Sequence, residues 1–583
     1  MCGIAGLVRF DGGATAEPLR GRARAMRAAL RHRGPDGEGE ALLADAVLEF
    51  TRLALLDREG GAQPMTTLDG RYTIVYNGEV YNHLELRERL DWPFRTRCDA
   101  ETVLAAFARW GPECVHALNG MFAFFVWDAL ERRGFAARDP LGVKPFAYAW
   151  DGVEFIFASE ARVVARARGL PVRAHEDAVL EYLVAPCFSG VERSMFAGVE
   201  YLQPGHWLIL GPGGPRLHRY YRFTVGDEDP GPEDAVLGGA VAAAVRRACV
   251  ADEAIGVFLS GGLDSTAIAA IAARVLPAPP QAFTIAFADM TDYEEGRSSI
   301  VVGNDLPFAG LAARAIGAPL TRVDAPRPEL ARDLERIAIS NDALPAWEQE
   351  LAQDRLARAA AAAGLKAVLV GDAADETHFG YHFLLDPAAV ASPRTILRRF
   401  GAVPVRAEVL ADPLATFSAR YRAWMPADAS PREQIAGTTA LIVERWLPRL
   451  LHNGDIHTMR VGLEARVPFA DTELLALAAR ISPRAGLADG EKSRLRAALR
   501  GVVPESIRTR RKSALPKDPG TAAIYQREAT RLLADPPALV RALVDREALR
   551  PLLDPAYHPG EWERAALFRV IGLCHFSRHH GIP

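Results

Sequence analysis

Two patterns of apolar and polar positions divide the chain. Over residues 1–220, short runs rich in β-branched and aromatic residues alternate with Gly, Asn and Pro turns. RYTIVYNGEVYN and GMFAFFVWDALERRGFAARD have the length and punctuation of strands and hairpins. Ala, Leu and Arg recur at helical spacing over about 17–32 and 100–110. This mixture predicts an α+β domain built on packed sheets. From about residue 235 the period changes, and long Ala/Leu/Arg helices separate short apolar runs, IGVFL, AFTIAF and LKAVLV. Such alternation predicts a parallel sheet flanked by helices on both faces, with ligands at the strands' carboxyl ends. VGDEDPGPED between the two patterns is acidic and rich in Pro and Gly. A linker is therefore expected over 219–234, between domains at 1–218 and 235–583.

The sharpest local signal lies where IGVFL runs into Ser260-Gly261-Gly262-Leu263-Asp264-Ser265, followed by AIAAIAARVL. That reads as a buried strand, a glycine turn and a helix N-terminus. Gly261 and Gly262 let backbone approach a ligand, and the free N–H groups of the helix start favour an anion. A Walker loop would need a lysine that this turn lacks. The turn resembles the PP-loop of ATP pyrophosphatases, which cradles the pyrophosphate leaving when ATP gives up AMP.

At 583 residues the chain is too long for a single core. Its net charge of −4 gives no basic patch for nucleic acid or an anionic membrane, and no apolar run has membrane-spanning length. The first residues carry no basic segment or cleavage signal. Six scattered cysteines argue against a disulfide frame or zinc site and for reduced cytosol, so a soluble cytoplasmic protein is expected.

Chemistry begins at the second residue. Removal of Met1 would leave Cys2 with a free α-amine of pKa near ~8, a thiol carrying its own general base. MCGIAGL, HRGPD, TRLALLD, GAQPM, YNGEVYN, RCDAE, GMFAF, ARDPLGVKP and FASE then follow in order. This series closely resembles the class II glutamine amidotransferase domain, an N-terminal-nucleophile glutaminase with stacked antiparallel sheets between helices. The resemblance implies that Cys2 attacks the glutamine carboxamide and that Asn77 and Gly78 form the oxyanion hole. It also implies that Arg52 holds the glutamine α-carboxylate, Asp99 the α-ammonium, and that Glu79 joins the glutamine site. Taken singly, Arg52 also reads as a surface ion pair, Asn77-Gly78 as a hairpin turn and Asp99 as a helix cap.

In the second half, GDAADETHFGYHF, LEARVPFAD and GEKSRLRAAL accompany the PP-loop. Together with the first half they resemble the glutamine-hydrolysing asparagine synthetases over about 2–520. The resemblance implies ATP and Mg²⁺ as cofactors. ATP would contact Leu259, Ser260, Gly261, Gly262, Asp264, Ser265, Ile285, Val370, Gly371, Asp375 and Lys492, and Asp264 and Asp375 would serve the metal. Lys492 would stabilise charge on the transferring phosphate, with Arg496 one turn on along the same helix face. The basic loop Arg510–Gly520 is expected to close over the nucleotide. Small-molecule partners (glutamine, ATP and a carboxylic acid) are implied, and a homodimer stays open.

Departures from the family pattern bear on the acceptor. Ser-Gly-Glu reads here Val370-Gly371-Asp372, Gly-Gly-Tyr reads Phe379-Gly380-Tyr381, and Arg460 stands where alanine is usual. Counted without gaps from KAVLV, the aspartate-binding Thr-Thr-x-Arg region falls on Pro345-Ala346-Trp347-Glu348. Glu348 in place of arginine would repel an α-carboxylate. An acceptor other than free aspartate, facing Glu348, Asp372 and Glu376, is the expectation. Ordinary asparagine synthetase, a β-lactam- or isopeptide-forming relative, and an inactive nucleotide-binding scaffold are the alternatives.

Overall fold

The computed structural model describes residues 2–10, 16–227, 229, 231–287, 305–398, 401–426, 428–512 and 520–582. Twelve strands form two antiparallel sheets in the first part of the chain. They are β1 (Cys2–Arg9), β2 (Gly37–Leu42), β3 (Ala46–Arg52), β4 (Met65–Thr66), β5 (Tyr72–Val80) and β6 (Gly120–Asp128), followed by β7 (Arg133–Arg138), β8 (Ala147–Trp150), β9 (Glu154–Ala158), β10 (Glu200–Tyr201), β11 (His206–Gly211) and β12 (Gly214–Arg219). One sheet runs β10-β8-β9-β1-β3-β2 and the other β12-β11-β7-β6-β5-β4. Alternation along each strand sets the layers. Ile4, Val8, Phe50 and Phe157 from the first sheet meet Val75, Phe125 and Trp127 from the second. The Phe125 and Phe157 rings stack at 4.5 Å across that seam. The opposite face of the first sheet packs Leu7 and Ile156 on Leu19, Ala23 and Met26 of helix Ala16–Ala29. Ile74, Phe122 and Phe124 on the far face of the second pack on Val103 and Phe107 of helix Asp99–Trp110. The result is helix, sheet, sheet, helix. The β11–β12 hairpin forms the second sheet's edge.

The second part holds five parallel strands: β13 (Ile255–Phe258), β14 (Ala282–Phe287), β15 (Leu320–Ala325), β16 (Ala367–Leu369) and β17 (Glu464–Arg466). Their order, β15-β14-β13-β16-β17, reverses direction between β13 and β16. In an open parallel sheet that reversal opens a crevice at the carboxyl ends of the two central strands. Helix Leu263–Val275 begins at that edge, straight after the turn that follows β13. Long-range pairs join the two parts. Arg33, fully buried, donates to Asp455 at 2.7 Å, and Asn119 donates to Asp471 at 3.0 Å. All six cysteines are buried and free.

Candidate active site

Cys2 opens β1, which lies beside β3 with Cys2 opposite Arg52. The Cys2 backbone nitrogen donates to Asn77 Oδ1 at 3.0 Å. Asn77 is fully buried in β5, and its Nδ2 donor has no hydrogen-bond partner. One end of that amide therefore fixes the Cys2 nitrogen, and the other is a desolvated, unpartnered donor. Burial pushes the Cys2 thiol above its ordinary value, although the N-terminal charge, the Leu53 backbone N–H and Arg52 pull it down. A thiol held protonated needs a base to become the nucleophile. Gly78 follows Asn77, and any Cβ there would meet the Met121 carbonyl oxygen at 2.2 Å, so β6 could not pair so closely.

Arg52 is held by its own loop. Its guanidinium donates to the carbonyls of Arg58 at 2.5 Å, Asp57 at 2.6 Å and Leu56 at 3.4 Å. Asp99, buried, accepts from the Tyr76 hydroxyl at 2.6 Å and the Val80 N–H at 2.9 Å. Glu79 points toward the other domain and pairs with Arg466 at 2.9 Å. Burial pushes Glu79 up to about 8 in spite of that guanidinium. Cys2, Arg52, Asn77, Gly78, Glu79 and Asp99 thus sit on β1, β3, β5 and the start of the helix beside them. Replacing Asn77 by alanine is expected to lower the turnover of glutamine hydrolysis by ~10²–10³-fold, the loss typical of one oxyanion donor. Steady-state glutamate release would measure it.

The second cluster fills the crevice of the parallel sheet. Leu259 is buried at the end of β13, and its N–H donates to Phe283 at 2.9 Å. The turn is drawn tight by Ser260 and Ser265, whose hydroxyls lie 3.0 Å apart, and by the Ser260 hydroxyl accepting from the Gly262 N–H at 3.3 Å. Gly261 has φ +75°, and a Cβ on it would lie 2.3 Å from the Ala309 nitrogen. Gly371, after Val370 at the end of β16, stands against the same turn; its added Cβ would be 3.3 Å from Asp264. Ile285 is half-buried in β14 and packs against Phe287, Ala325 and Ala352.

Lys492 lies between the two carboxylates expected to serve the metal. Its ammonium pairs with Asp264 and, at 2.6 Å, with Asp375. Asp264 Oδ1 is buried without a hydrogen-bond partner. Burial alone would lower the lysine, but Asp264 and Asp375 raise it to about 12. Burial would raise Asp375, but Lys492 and Lys512 hold it down at about 2. Lys512 pairs with the other oxygen of Asp375 and is a site residue that the motifs do not single out. Its only signal is its place in the basic loop, of which 513–519 lie outside the described residues. Gly380 makes room, since a Cβ there would be 2.1 Å from Asp375 Oδ1. Neighbouring acids behave differently. Burial and repulsion from Asp375 raise Asp372 to about 6 and Glu376 to about 7, and Glu376 accepts from the Tyr381 hydroxyl at 2.5 Å.

The expectation of a shared helix face for Lys492 and Arg496 is corrected. Lys492 has φ +58° and caps helix Ser493–Ala498 from outside, with its N–H on the Phe379 carbonyl at 3.2 Å. Arg496 turns away and donates to the Glu491 carbonyl at 2.9 Å and the Arg508 carbonyl at 2.5 Å, bracing the basic loop. A left-handed cap swings the lysine out of helical register, so i,i+4 spacing does not apply. Glu348 directly precedes helix Gln349–Ala362, makes no side-chain cap to it, and accepts from the Thr521 hydroxyl at 2.9 Å. That helix places Ala352 against the carboxyl ends of β14 and β15, the sheet edge that also bears the glycine turn. Arg460, the cation in place of alanine, pairs with Asp354 at 3.7 Å away from Lys492 and its partners.

Two family models match the chain. The model of a glutamine amidotransferase domain matches residues 1–221, and that of asparagine synthase matches 237–573. Asparagine synthetase [glutamine-hydrolyzing] 3 of Bacillus subtilis is 30% identical, covering 95% of this chain and 93% of its own. A putative asparagine synthetase of Mycobacterium tuberculosis is 32% identical over 88% of this chain and 87% of its own. The solved glutamine phosphoribosylpyrophosphate amidotransferase of B. subtilis is 14% identical with a TM-score of 0.28, covering 64% of this chain and 82% of its own. At that score nothing follows from the likeness. From the two family matches and the full-length relatives, the chain belongs to the asparagine synthase family of ligases and carries a glutamine amidotransferase domain at its head.

Proposed function

We propose that the chain hydrolyses glutamine at Cys2 and passes the ammonia to a carboxylic acid that it activates with Mg-ATP, giving an amide, AMP, pyrophosphate and glutamate. A free carboxylate resists attack by ammonia, and an acyl-AMP supplies a good leaving group. The observation that carries the reading is the Asn77 amide, bonded to the Cys2 nitrogen at one end and buried without a partner at the other. With Met1 removed, that nitrogen is the α-amine, within reach of the thiol it must deprotonate. In the second domain, the glycine turn would hold phosphate oxygens by backbone N–H groups, and Lys492 would neutralise charge on the transferring phosphate. Asp264, with one oxygen lacking a hydrogen-bond partner, and Asp375 fit Mg²⁺, which needs few protein carboxylates when phosphate oxygens complete its shell. Bound there, the ion would screen the phosphate charges.

The proposed acceptor is a carboxylic acid other than free aspartate. Glu348 supports this, as an acid where an ungapped count of the sequence puts the carboxylate-binding arginine. The second reading, asparagine synthetase, draws on the names of the relatives. Incubation with Mg-ATP, glutamine and aspartate separates the two. The expected result is glutamate release with little asparagine. Rapid asparagine formation matched by AMP would establish the second reading instead. Absence of glutamate release would overturn the amidotransferase reading itself.

A further inference from the structure

The loop that holds Arg52 does not stand on its own domain. Residues 53–58 follow β3 and supply the Leu53 N–H to the Cys2 thiol and three carbonyls to the Arg52 guanidinium. Asp57 in this loop has φ +49°, a conformation unfavourable for a residue with a side chain, so something must hold it there. Within the first domain its carboxylate accepts from the N–H groups of Gly60 at 3.1 Å and Arg97 at 2.7 Å. Its own N–H goes across the boundary to Asp252 Oδ2 at 2.8 Å, and the Asp252 N–H returns to the Leu55 carbonyl at 2.9 Å. A second tie lies alongside. Asp36 accepts from the Ala54 N–H at 2.8 Å and from Lys366 at 3.0 Å, and Lys366 also reaches Glu253 at 3.2 Å.

The synthetase residues in these ties occupy one structural position. Asp252 and Glu253 lie three and two residues before the start of β13, and Lys366 immediately precedes β16. These two adjacent parallel strands carry the glycine turn and the Gly371-Asp372 turn at their other ends. The amino ends of the central strands therefore grip the loop that presents Arg52, and their carboxyl ends form the nucleotide crevice. We infer that Asp252 is a positioning residue for glutamine recognition. Contributed by the synthetase domain, it fixes the Leu55–Asp57 backbone and so aims the Arg52 fork at the substrate's α-carboxylate. This rests on the proposed role of Arg52. Asp252 is exposed and touches neither thiol nor substrate, so its removal should weaken glutamine binding without slowing the chemistry at Cys2.

The test is the full-length chain with Asp252→Ala and Asp252→Asn, assayed for glutamate release over a range of glutamine concentrations. For Asp252→Ala, KM for glutamine is expected to rise by about 5- to 10-fold, the effect of one solvent-screened hydrogen bond, with kcat within twofold of the parent. Asn keeps an acceptor oxygen for the Asp57 N–H, so Asp252→Asn should recover most of the loss. An unchanged KM in Asp252→Ala overturns the inference. So does a parallel fall in kcat with no recovery by Asn, which marks a general loss of structure. Parent chain that releases no glutamate would instead refute the glutaminase reading.

Discussion

Replacing Cys2 by alanine is expected to abolish glutamate release, by ~10⁴-fold or more, because the attacking atom is gone and nothing nearby substitutes for it. The fold should survive. Cys2 begins β1 as a small buried residue in the seam between the sheets, and alanine keeps the backbone pairing with β3. Amide synthesis with ammonium salts replacing glutamine should persist, since no residue of the crevice is altered. A glutamyl adduct seen on the parent chain by mass spectrometry should be missing from the variant. Retention of Met1 should have the same consequence. The Cys2 nitrogen would then be an amide, unable to accept the proton that burial keeps on the thiol. If Cys2→Ala still turns over glutamine, the nucleophile has been misassigned.

Lys492→Met should suppress formation of AMP and pyrophosphate by ~10³-fold or more, the scale set by removing a cation that stabilises a transferring phosphoryl group. The lysine is 2% exposed and pairs with both Asp264 and Asp375, so methionine would leave two carboxylates facing each other with Lys512 as the remaining counter-charge. Glutamate release, measured on the same sample, serves as the control for folding. Lys492 stays cationic through the neutral range, so an activity profile between pH 6 and 9 should not report its titration. The sign for Asp375 is the opposite of a buried acid left alone. Its folded value of about 2 lies below the ordinary 3.8, so the pairing stabilises the fold above pH 4 and is lost as pH falls toward 2. Undiminished pyrophosphate release by the methionine variant would refute the role given to Lys492.

What the sequence by itself determined is what a contiguous stretch can encode. The length and turn punctuation of RYTIVYNGEV and GMFAFFVWD predicted strands, and the change to helical period after 235 predicted a parallel sheet. Gly261, Gly262 and Ser265 fall within six residues, and Asn77, Gly78 and Glu79 are consecutive, so both sites left local signatures. Even the left-handed cap at Lys492 escaped that reading, because helical spacing says nothing about a residue one step outside the helix. Only the tertiary structure decided which distant charges meet. Arg33 finds Asp455 422 positions away, Arg466 joins Glu79, Lys512 reaches Asp375, and Asp252 grips the Arg52 loop. A lone arginine, lysine or aspartate carries no periodicity or spacing of its own. Its partner is chosen by the packing of two sheets and two domains, and burial then makes that choice costly to break.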